Sequence, residues 1–223
     1  MVKNLCLTLF MLVATLTSCS EEPIKDDAPN GQRSEVLQMK TIVALGDSLT
    51  AGYGVDIGES YPVLLEKILQ GKGYQYKVIN AGVSGETSSG TLARVEWILT
   101  QNPDIVIVET GANDGLRGIP VTLLEENLRE IVTMLHEKNV TVLLAGMKMV
   151  WNLGPAYVMQ FNEVYPRVAA ELDVELIPFF LKGVATKSYL NISDGIHPNG
   201  AGYKVIVENI YPYVVKVIGS VTQ

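Results

Sequence analysis

Five short apolar segments alternate with helix-like segments between residues 41 and 218, and this alternation limits the fold more than any other feature of the sequence. Strands that are apolar at nearly every position must be covered on both faces, which is typical of a parallel sheet between two layers of helices. We therefore predict an α/β fold, a three-layer α/β/α sandwich around a five-stranded parallel sheet. The predicted strands are Thr41–Leu45, Tyr76–Ile79, Asp104–Glu109, Val140–Ala145 and Val174–Ile177.

The segments that connect these strands carry apolar residues at helical spacing. Gly71 and Gly73 are expected to end the first helix, and Pro166 to kink or split a later one. Pro212 is expected to bend or end the last helix. The predicted helices cover Tyr61–Gln70, Thr87–Thr100, Val121–Lys138, Ala156–Leu172 and the chain from Asn199 onward.

Residues 1–18 have the pattern of a secretory signal peptide. Lys3 precedes an apolar core, Leu5 to Leu16, that is too short for a bilayer span, and the polar stretch after it disfavours a buried N-terminal helix. The end of this segment resembles the lipobox of bacterial lipoproteins, which implies that Cys19 carries a lipid anchor that holds the protein on a membrane. Ser20 after it implies a place in the cell envelope, at the outer membrane or the cell surface.

Residues 19–40 are polar, with two prolines and one glycine, and are predicted to form a flexible tether. The folded domain then extends over residues 41–223. With Cys6 in the signal and Cys19 lipidated, this domain has no thiol for a disulfide or for a zinc site. Its two histidines, His136 and His197, are far apart in sequence, so we predict no metal site.

The charge of the chain disfavours nucleic acid as a partner. Lys and Arg number 17 against 24 Asp and Glu, a net charge of -7, whereas binding to a phosphate backbone needs clustered cations. No cofactor is expected either. The sequence lacks the glycine patterns G-x-G-x-x-G and G-K-[ST] of nucleotide-binding loops, and it lacks the G-x-S-x-G turn of ordinary α/β-hydrolases.

Polar blocks follow the predicted strands, and in a parallel sheet the carboxyl ends of strands are where ligands bind. Three blocks directly follow strands, and the fourth opens the last helix. They are GDSLT at 46–50, NAGVSGET at 80–87, ETGAND at 109–114 and DGIHPN at 194–199.

These four blocks, in this order, resemble the SGNH (GDSL) hydrolases, in particular the branch of the multifunctional thioesterase/protease/lysophospholipase and the arylesterases. The resemblance extends from Ala44 to about Tyr203 and implies the flavodoxin-like fold of that family. It also implies roles for individual residues. Ser48 is the nucleophile and Asp194 and His197 complete a triad, while Ser48, Gly85 and Asn113 form the oxyanion hole.

The chemistry of these residue types agrees with those roles. A serine hydroxyl needs a base, and an imidazole, which titrates near neutral pH, suits that task. Asp194 lies three residues before His197 and can turn back to hold one ring nitrogen, while Pro198 keeps the histidine outside the following helix. Asn113 offers an uncharged amide donor, and Gly85 lets a backbone N–H approach a ligand without a Cβ.

Other residues of the blocks have open or minor roles. Ser84 rivals Ser48 by residue type only, Asp47 is expected to tie loops together as an acceptor, and Asp114 to stabilise its own loop. His136 is expected at a helix end. The segment Met147–Pro155 is either a packed connector or one wall of an acyl groove, which Tyr53 and Leu116 could also line.

The sequence thus predicts a serine esterase for acyl esters, similar to arylesterases, lysophospholipases and thioesterases. Two alternatives stay open. One is a carbohydrate O-acetyl esterase on the same scaffold, and the other is a non-catalytic surface lipoprotein that binds lipids or glycans.

Overall fold

A computed structural model of the chain describes residues 39–149 and 153–221. Five parallel strands form one sheet in the order β2-β1-β3-β4-β5, as predicted. Because β2 and β3 lie on opposite sides of β1, the chain changes direction there, and the carboxyl end of β1 is the topological switch point. The strands are β1 Lys40–Gly46, β2 Tyr76–Gly82, β3 Ile105–Glu109, β4 Thr141–Ala145 and β5 Glu175–Ile177.

Helices cover both faces of the sheet, and buried apolar side chains of strands and helices form one core. The helices are α1 Ser48–Ala51, α2 Tyr61–Gly71, α3 Ser88–Ala93, α4 Val95–Leu99, α5 Ala112–Leu116, α6 Val121–His136, α7 Pro155–Glu171 and α8 Gly200–Val221. Short 3₁₀ turns occur at Ile57–Glu59 and Ser188–Leu190. No helix within the described ranges has the length and apolar character needed to cross a membrane.

Neither proline interrupts its helix, so of the predicted alternatives the split at Pro166 and the helix end at Pro212 were wrong. Pro166 lies inside α7 and Pro212 inside α8. Phe161 and Val168 of α7 are fully buried on either side of Pro166, and α8 likewise buries side chains before and after Pro212. Packing on both sides of each proline therefore outweighs the lost backbone hydrogen bond.

The predicted helix Thr87–Thr100 was also wrong in one respect, because it is two short helices. The break lies at Arg94, whose backbone has φ -104° and ψ -2°. The Arg94 guanidinium donates to the carboxylate of Glu86 and to the carbonyl of Ala81. These bonds draw Arg94 toward the sheet edge and away from the helical surface.

The end of β2 lies directly against α1, which leaves no room for a side chain at Gly82. A Cβ there would lie 2.6 Å from the Ala51 Cα and 2.7 Å from the Thr50 carbonyl carbon, both rigid backbone atoms. Gly82→Ala should therefore lower the free energy of unfolding by about 3 kcal/mol, measured by urea denaturation. Gly71→Ala is the matched control, since nothing lies within 4 Å of its Cβ position.

We expect Gly71→Ala to leave that free energy unchanged or to raise it by up to about 1 kcal/mol, because alanine favours the helix. Equal effects of the two substitutions would contradict the close approach of β2 and α1.

The predictions for residues 1–38, the signal peptide, Cys19 and most of the tether, lie outside the described residues.

Candidate active site

Ser48 lies at the carboxyl end of the central strand β1. Gly46 ends the strand, and Asp47 caps α1 by accepting a 2.9 Å hydrogen bond from the Leu49 N–H. Ser48 is therefore the first residue of α1, where a backbone N–H has no acceptor inside the helix. The residue is largely buried, and it lines a cavity at this edge of the sheet.

His197 and Asp194 come from the loop before α8 and meet Ser48 at this edge. The Nε2 atom of His197 is 2.9 Å from Ser48 Oγ, and its Nδ1 atom is 2.6 Å from Asp194 Oδ2. Asp194 Oδ1 accepts from the N–H groups of Ile196 and His197, both at 3.0 Å, which closes the turn. Tyr53 packs beside the imidazole with its ring centroid 4.7 Å away.

The protonation of Asp194 fixes the tautomer of His197. Partial desolvation raises the pKa of Asp194, but hydrogen bonds from His197 and Ile196 outweigh it and lower the pKa from 3.8 to about 2. An ionised carboxylate only accepts hydrogen bonds, so Nδ1 of His197 must be the protonated nitrogen. In the neutral imidazole Nε2 is then an acceptor, and Ser48 Oγ donates its proton to it.

Gly85 and Asn113 lie on the loops that follow β2 and β3. Gly85 has a left-handed backbone with φ 80°, and no described backbone group accepts a hydrogen bond from its N–H. The Asn113 side chain donates to Asp47 Oδ2 and to the Glu86 carbonyl, both at 3.0 Å. Both amide protons of Asn113 are thus engaged, so a ligand oxygen at Asn113 must replace one of these acceptors.

The loop that carries Gly85 is held by an ion pair that the sequence analysis missed. Glu86 receives two hydrogen bonds from Arg94, from Nε at 2.7 Å and from a terminal nitrogen at 2.6 Å. Arg117 spans the neighbouring loops by donating to the Gly85 carbonyl at 2.7 Å. The sequence carries no local signal for this pair, because Glu86 and Arg94 are eight residues apart and charges on one helix meet at spacings of three or four.

A buried acid beneath the site was missed as well. Glu109 ends β3, is fully buried, and accepts from the Thr50 hydroxyl at 2.8 Å. Asp47 is fully buried beside it, and burial raises the pKa of Asp47 from 3.8 to about 6 although hydrogen bonds from Leu49, Glu109 and Asn113 lower it. In the sequence, an acidic residue at the end of an otherwise apolar strand was the feature that could have indicated this buried acid.

An apolar cavity of about 220 Å³ opens in front of Ser48. Met147 and Met149 line it, so the described part of the predicted connector forms a groove wall as well as packing; residues 150–152 lie outside the description. Leu116 lines the cavity as expected, whereas Tyr53 packs on His197 instead. Further apolar lining comes from Leu49, Ala112, Phe179, Leu181, Ala185 and Ile196.

The remaining sequence predictions have mixed outcomes. Asp47 joins the loops as an acceptor, as predicted. Asp114 does not serve only its own loop, because its carboxylate accepts from the N–H and the hydroxyl of Ser88 at the start of α3. Ser84 is exposed, and the imidazole contacts Ser48 rather than Ser84. His136 is the last residue of α6, as expected.

No group of three or more metal-ligating side chains occurs in the part of the chain that the structure describes. The site brings together a hydroxyl, an imidazole, a carboxylate, an amide and backbone N–H groups. Such a set can deprotonate the hydroxyl and stabilise negative charge on an oxygen atom beside it.

Comparisons with known proteins agree with this geometry. Residues 44–205 match the GDSL-like Lipase/Acylhydrolase family. The chain is 34% identical to an arylesterase of Vibrio mimicus over 97% of this chain and 99% of the relative. It is 41% identical to thioesterase 1/protease 1/lysophospholipase L1 of Escherichia coli strain K12, covering 71% of this chain and 76% of that protein.

A solved esterase structure is also similar to this chain. The psychrotrophic esterase EstA from a Pseudoalteromonas species, inhibited by monoethylphosphonate, superposes with a TM-score of 0.77 at 34% identity. The match covers 81% of this chain and 99% of that one.

Proposed function

The chain belongs to the GDSL-like lipase/acylhydrolase family, and from this premise we propose that it is a serine esterase that forms an acyl-enzyme on Ser48. The observation that carries the proposal is the continuous hydrogen-bonded series from Ser48 Oγ through His197 to Asp194. Such a series connects a nucleophile, a general base and the group that orients the base.

In the first step Ser48 Oγ attacks the acyl carbonyl carbon while His197 Nε2 takes the hydroxyl proton. The imidazolium that forms is stabilised by the ionised Asp194, 2.6 Å from Nδ1. The carbonyl oxygen becomes an oxyanion, which the N–H groups of Ser48 and Gly85 and the amide of Asn113 can receive. Because a bond to a charged acceptor is the stronger one, Asn113 keeps its bond to Asp47 and exchanges its bond to the Glu86 carbonyl.

The tetrahedral intermediate then collapses. His197 gives its proton to the leaving alcohol or thiol, the bond to that group breaks, and the acyl group stays on Ser48. A water molecule repeats the sequence, with His197 as its base, and releases the carboxylic acid. No step needs a group other than these side chains, the backbone and water.

The apolar cavity supports a substrate with a short or medium acyl chain. Its volume of about 220 Å³ is below the range of about 300 to 1,000 Å³ that is usual for drug-sized ligands. Acetate would leave most of this apolar lining in contact with water, which disfavours an enzyme dedicated to O-acetyl groups. We therefore infer esters of short or medium acyl chains as the substrate class, aryl esters among them.

A series of p-nitrophenyl esters from acetate to palmitate tests this function. We expect kcat/KM to rise by about fourfold for each added methylene that enters the cavity, because each buried methylene contributes about 0.8 kcal/mol. The values should pass a maximum at medium length and fall for palmitate. A maximum at acetate would favour the carbohydrate O-acetyl esterase, and no hydrolysis of any ester would favour the non-catalytic lipoprotein.

We further propose that Cys19 anchors the protein in the cell envelope. The support is the lipobox-like sequence that ends at Cys19 and the polar stretch between it and β1. Cys19→Ala should move the protein from the membrane fraction to the soluble fraction, since the acyl chains supply most of the membrane affinity. Cys6→Ala is the matched control and should leave the protein in the membrane fraction; Cys19→Ala remaining there would contradict the anchor.

A further inference from the structure

Glu109 is buried beneath the nucleophile, and one of its oxygens has no donor. Its Oε2 atom accepts from Thr50 at 2.8 Å and lies 3.4 Å from the backbone nitrogen of Asp47. Its Oε1 atom is buried, and no N–H or hydroxyl of the described residues donates to it. A carboxylate oxygen left without a donor in a desolvated place is costly unless the carboxyl group is neutral.

The carboxyl of Asp47 contacts Glu109, and both residues are fully buried. None of the ion pairs found among the described residues includes either acid. Two adjacent buried carboxyl groups do not both ionise, because their charges repel in a medium of low dielectric constant. The groups that face the pair are His197 and the hydroxyls of Tyr61, Tyr165 and Tyr203.

The hydrogen bonds of the two acids decide which one holds the proton. Asp47 accepts from the Leu49 N–H and from the Asn113 amide, so its anion has two good donors. Glu109 has one close donor, the Thr50 hydroxyl. Burial and the charge of Asp47 raise the pKa of Glu109 well above its usual range. The favourable arrangement is therefore a neutral Glu109 beside an anionic Asp47.

We propose that Glu109 is a positioning residue of the site, a neutral carboxylic acid that donates its proton to Asp47 and so holds Asp47 in place to orient the Asn113 amide. This inference rests on the proposed function, because it gives Asn113 the task of receiving the oxyanion. Glu109 does not touch the substrate. It acts through Asp47, which lies between Glu109 and Asn113.

Infrared spectroscopy of the resting enzyme tests the protonation without any substrate. At about pH 8 ordinary carboxyl groups are ionised, so the wild type should show the carbonyl band of one protonated carboxylic acid, and Glu109→Gln should lose it. Glu125→Gln is the matched control, since Glu125 is also buried but pairs with Arg129 and Arg167. Its substitution should leave the band in place. Absence of the band in the wild type, or its survival in Glu109→Gln, overturns the proposal.

A double-mutant cycle tests the positioning. Asn113→Ala should lower kcat by about 100- to 1,000-fold, the usual loss for one oxyanion donor. Glu109→Ala, acting only through Asn113, should lower kcat by about 30- to 100-fold with little change in KM. Glu109→Gln restores an N–H donor toward Asp47, so its kcat should be only about threefold below that of the wild type.

The double variant Glu109→Ala/Asn113→Ala should be no slower than Asn113→Ala alone, because the two substitutions remove the same contribution. Multiplicative effects, or a Glu109→Gln variant as slow as Glu109→Ala, would overturn the inference while leaving the esterase itself intact. A wild type that hydrolyses no ester would instead refute the proposed function, and the infrared result would still stand. Should Glu109→Ala fail to fold, Glu109→Gln and the spectra decide the matter.

Discussion

Ser48→Ala is expected to lower kcat for p-nitrophenyl esters by about 10⁴- to 10⁶-fold, because no other side chain can take the place of the nucleophile. The loss should be confined to catalysis. Among the described side chains the Ser48 hydroxyl hydrogen-bonds only to the His197 imidazole, and removing one such hydrogen bond changes the free energy of unfolding by about 1 kcal/mol. Steady-state kinetics and thermal unfolding of the same preparation measure both quantities.

Ser84→Ala is the control for this substitution. Ser84 is exposed on the loop after β2, close in sequence to Gly85, and has the same residue type as the nucleophile. We expect Ser84→Ala to retain most of the wild-type rate. A reactive phosphonate should add its mass to the peptide that contains Ser48 in the wild type and to no peptide in Ser48→Ala. An unchanged rate in Ser48→Ala would reject Ser48 as the nucleophile.

The sheet could be predicted from sequence because each of its strands is a short apolar run between polar turns. Such runs depend on burial of both faces, and burial follows directly from residue type. The active-site loops could be located for a related reason. The carboxyl ends of parallel strands share one edge, so the loops of Ser48, Gly85 and Asn113 were expected to meet there. The place of His197, before the last helix, was instead implied by the resemblance to the SGNH hydrolases.

Features that depend on the packing of several elements could not be predicted. Glu109 looks like the polar end of a strand, and only Thr50 of α1 and the tyrosines of α2, α7 and α8 around it make it a buried acid. Arg94 looks like a solvent-facing helical residue, yet it binds Glu86 and breaks the helix. A helix over Ala156–Leu172 was predicted, but whether Pro166 would split it was not, and core contacts on both sides of Pro166 keep α7 in one piece.

These differences share a cause. Local sequence reports the preference of a segment for one conformation, with typical energies of about 1 kcal/mol per residue and about 3 kcal/mol for a proline. Burial of several large side chains contributes more than that, about 1.5 to 3 kcal/mol for each. Where the local preference and burial disagree, packing therefore decides the conformation. A charged residue that packing places in the core then either becomes neutral or pairs with an opposite charge.

Asp194→Asn is expected to lower kcat by about 10⁴-fold near neutral pH while leaving the loop intact. The amide oxygen of asparagine can keep the two backbone hydrogen bonds that Asp194 Oδ1 accepts from Ile196 and His197. The amide nitrogen then faces Nδ1 of the imidazole, and because it is a donor, Nδ1 must become the acceptor. The remaining ring proton moves to Nε2, which can no longer accept the proton of Ser48.

The pH profile separates this effect from a loss of structure. With a pKa of about 2, Asp194 stays ionised across the working range of the wild type, so its own titration does not shape the rate profile there. Asp173→Asn is the matched control: Asp173 has φ 51°, a backbone region that asparagine also tolerates, and it lies before β5, away from the active-site edge. Asp173→Asn should keep the wild-type rate and profile. Retention of more than about a tenth of the wild-type kcat by Asp194→Asn would show that the carboxylate does not set the tautomer, since a wrong tautomer costs far more than tenfold.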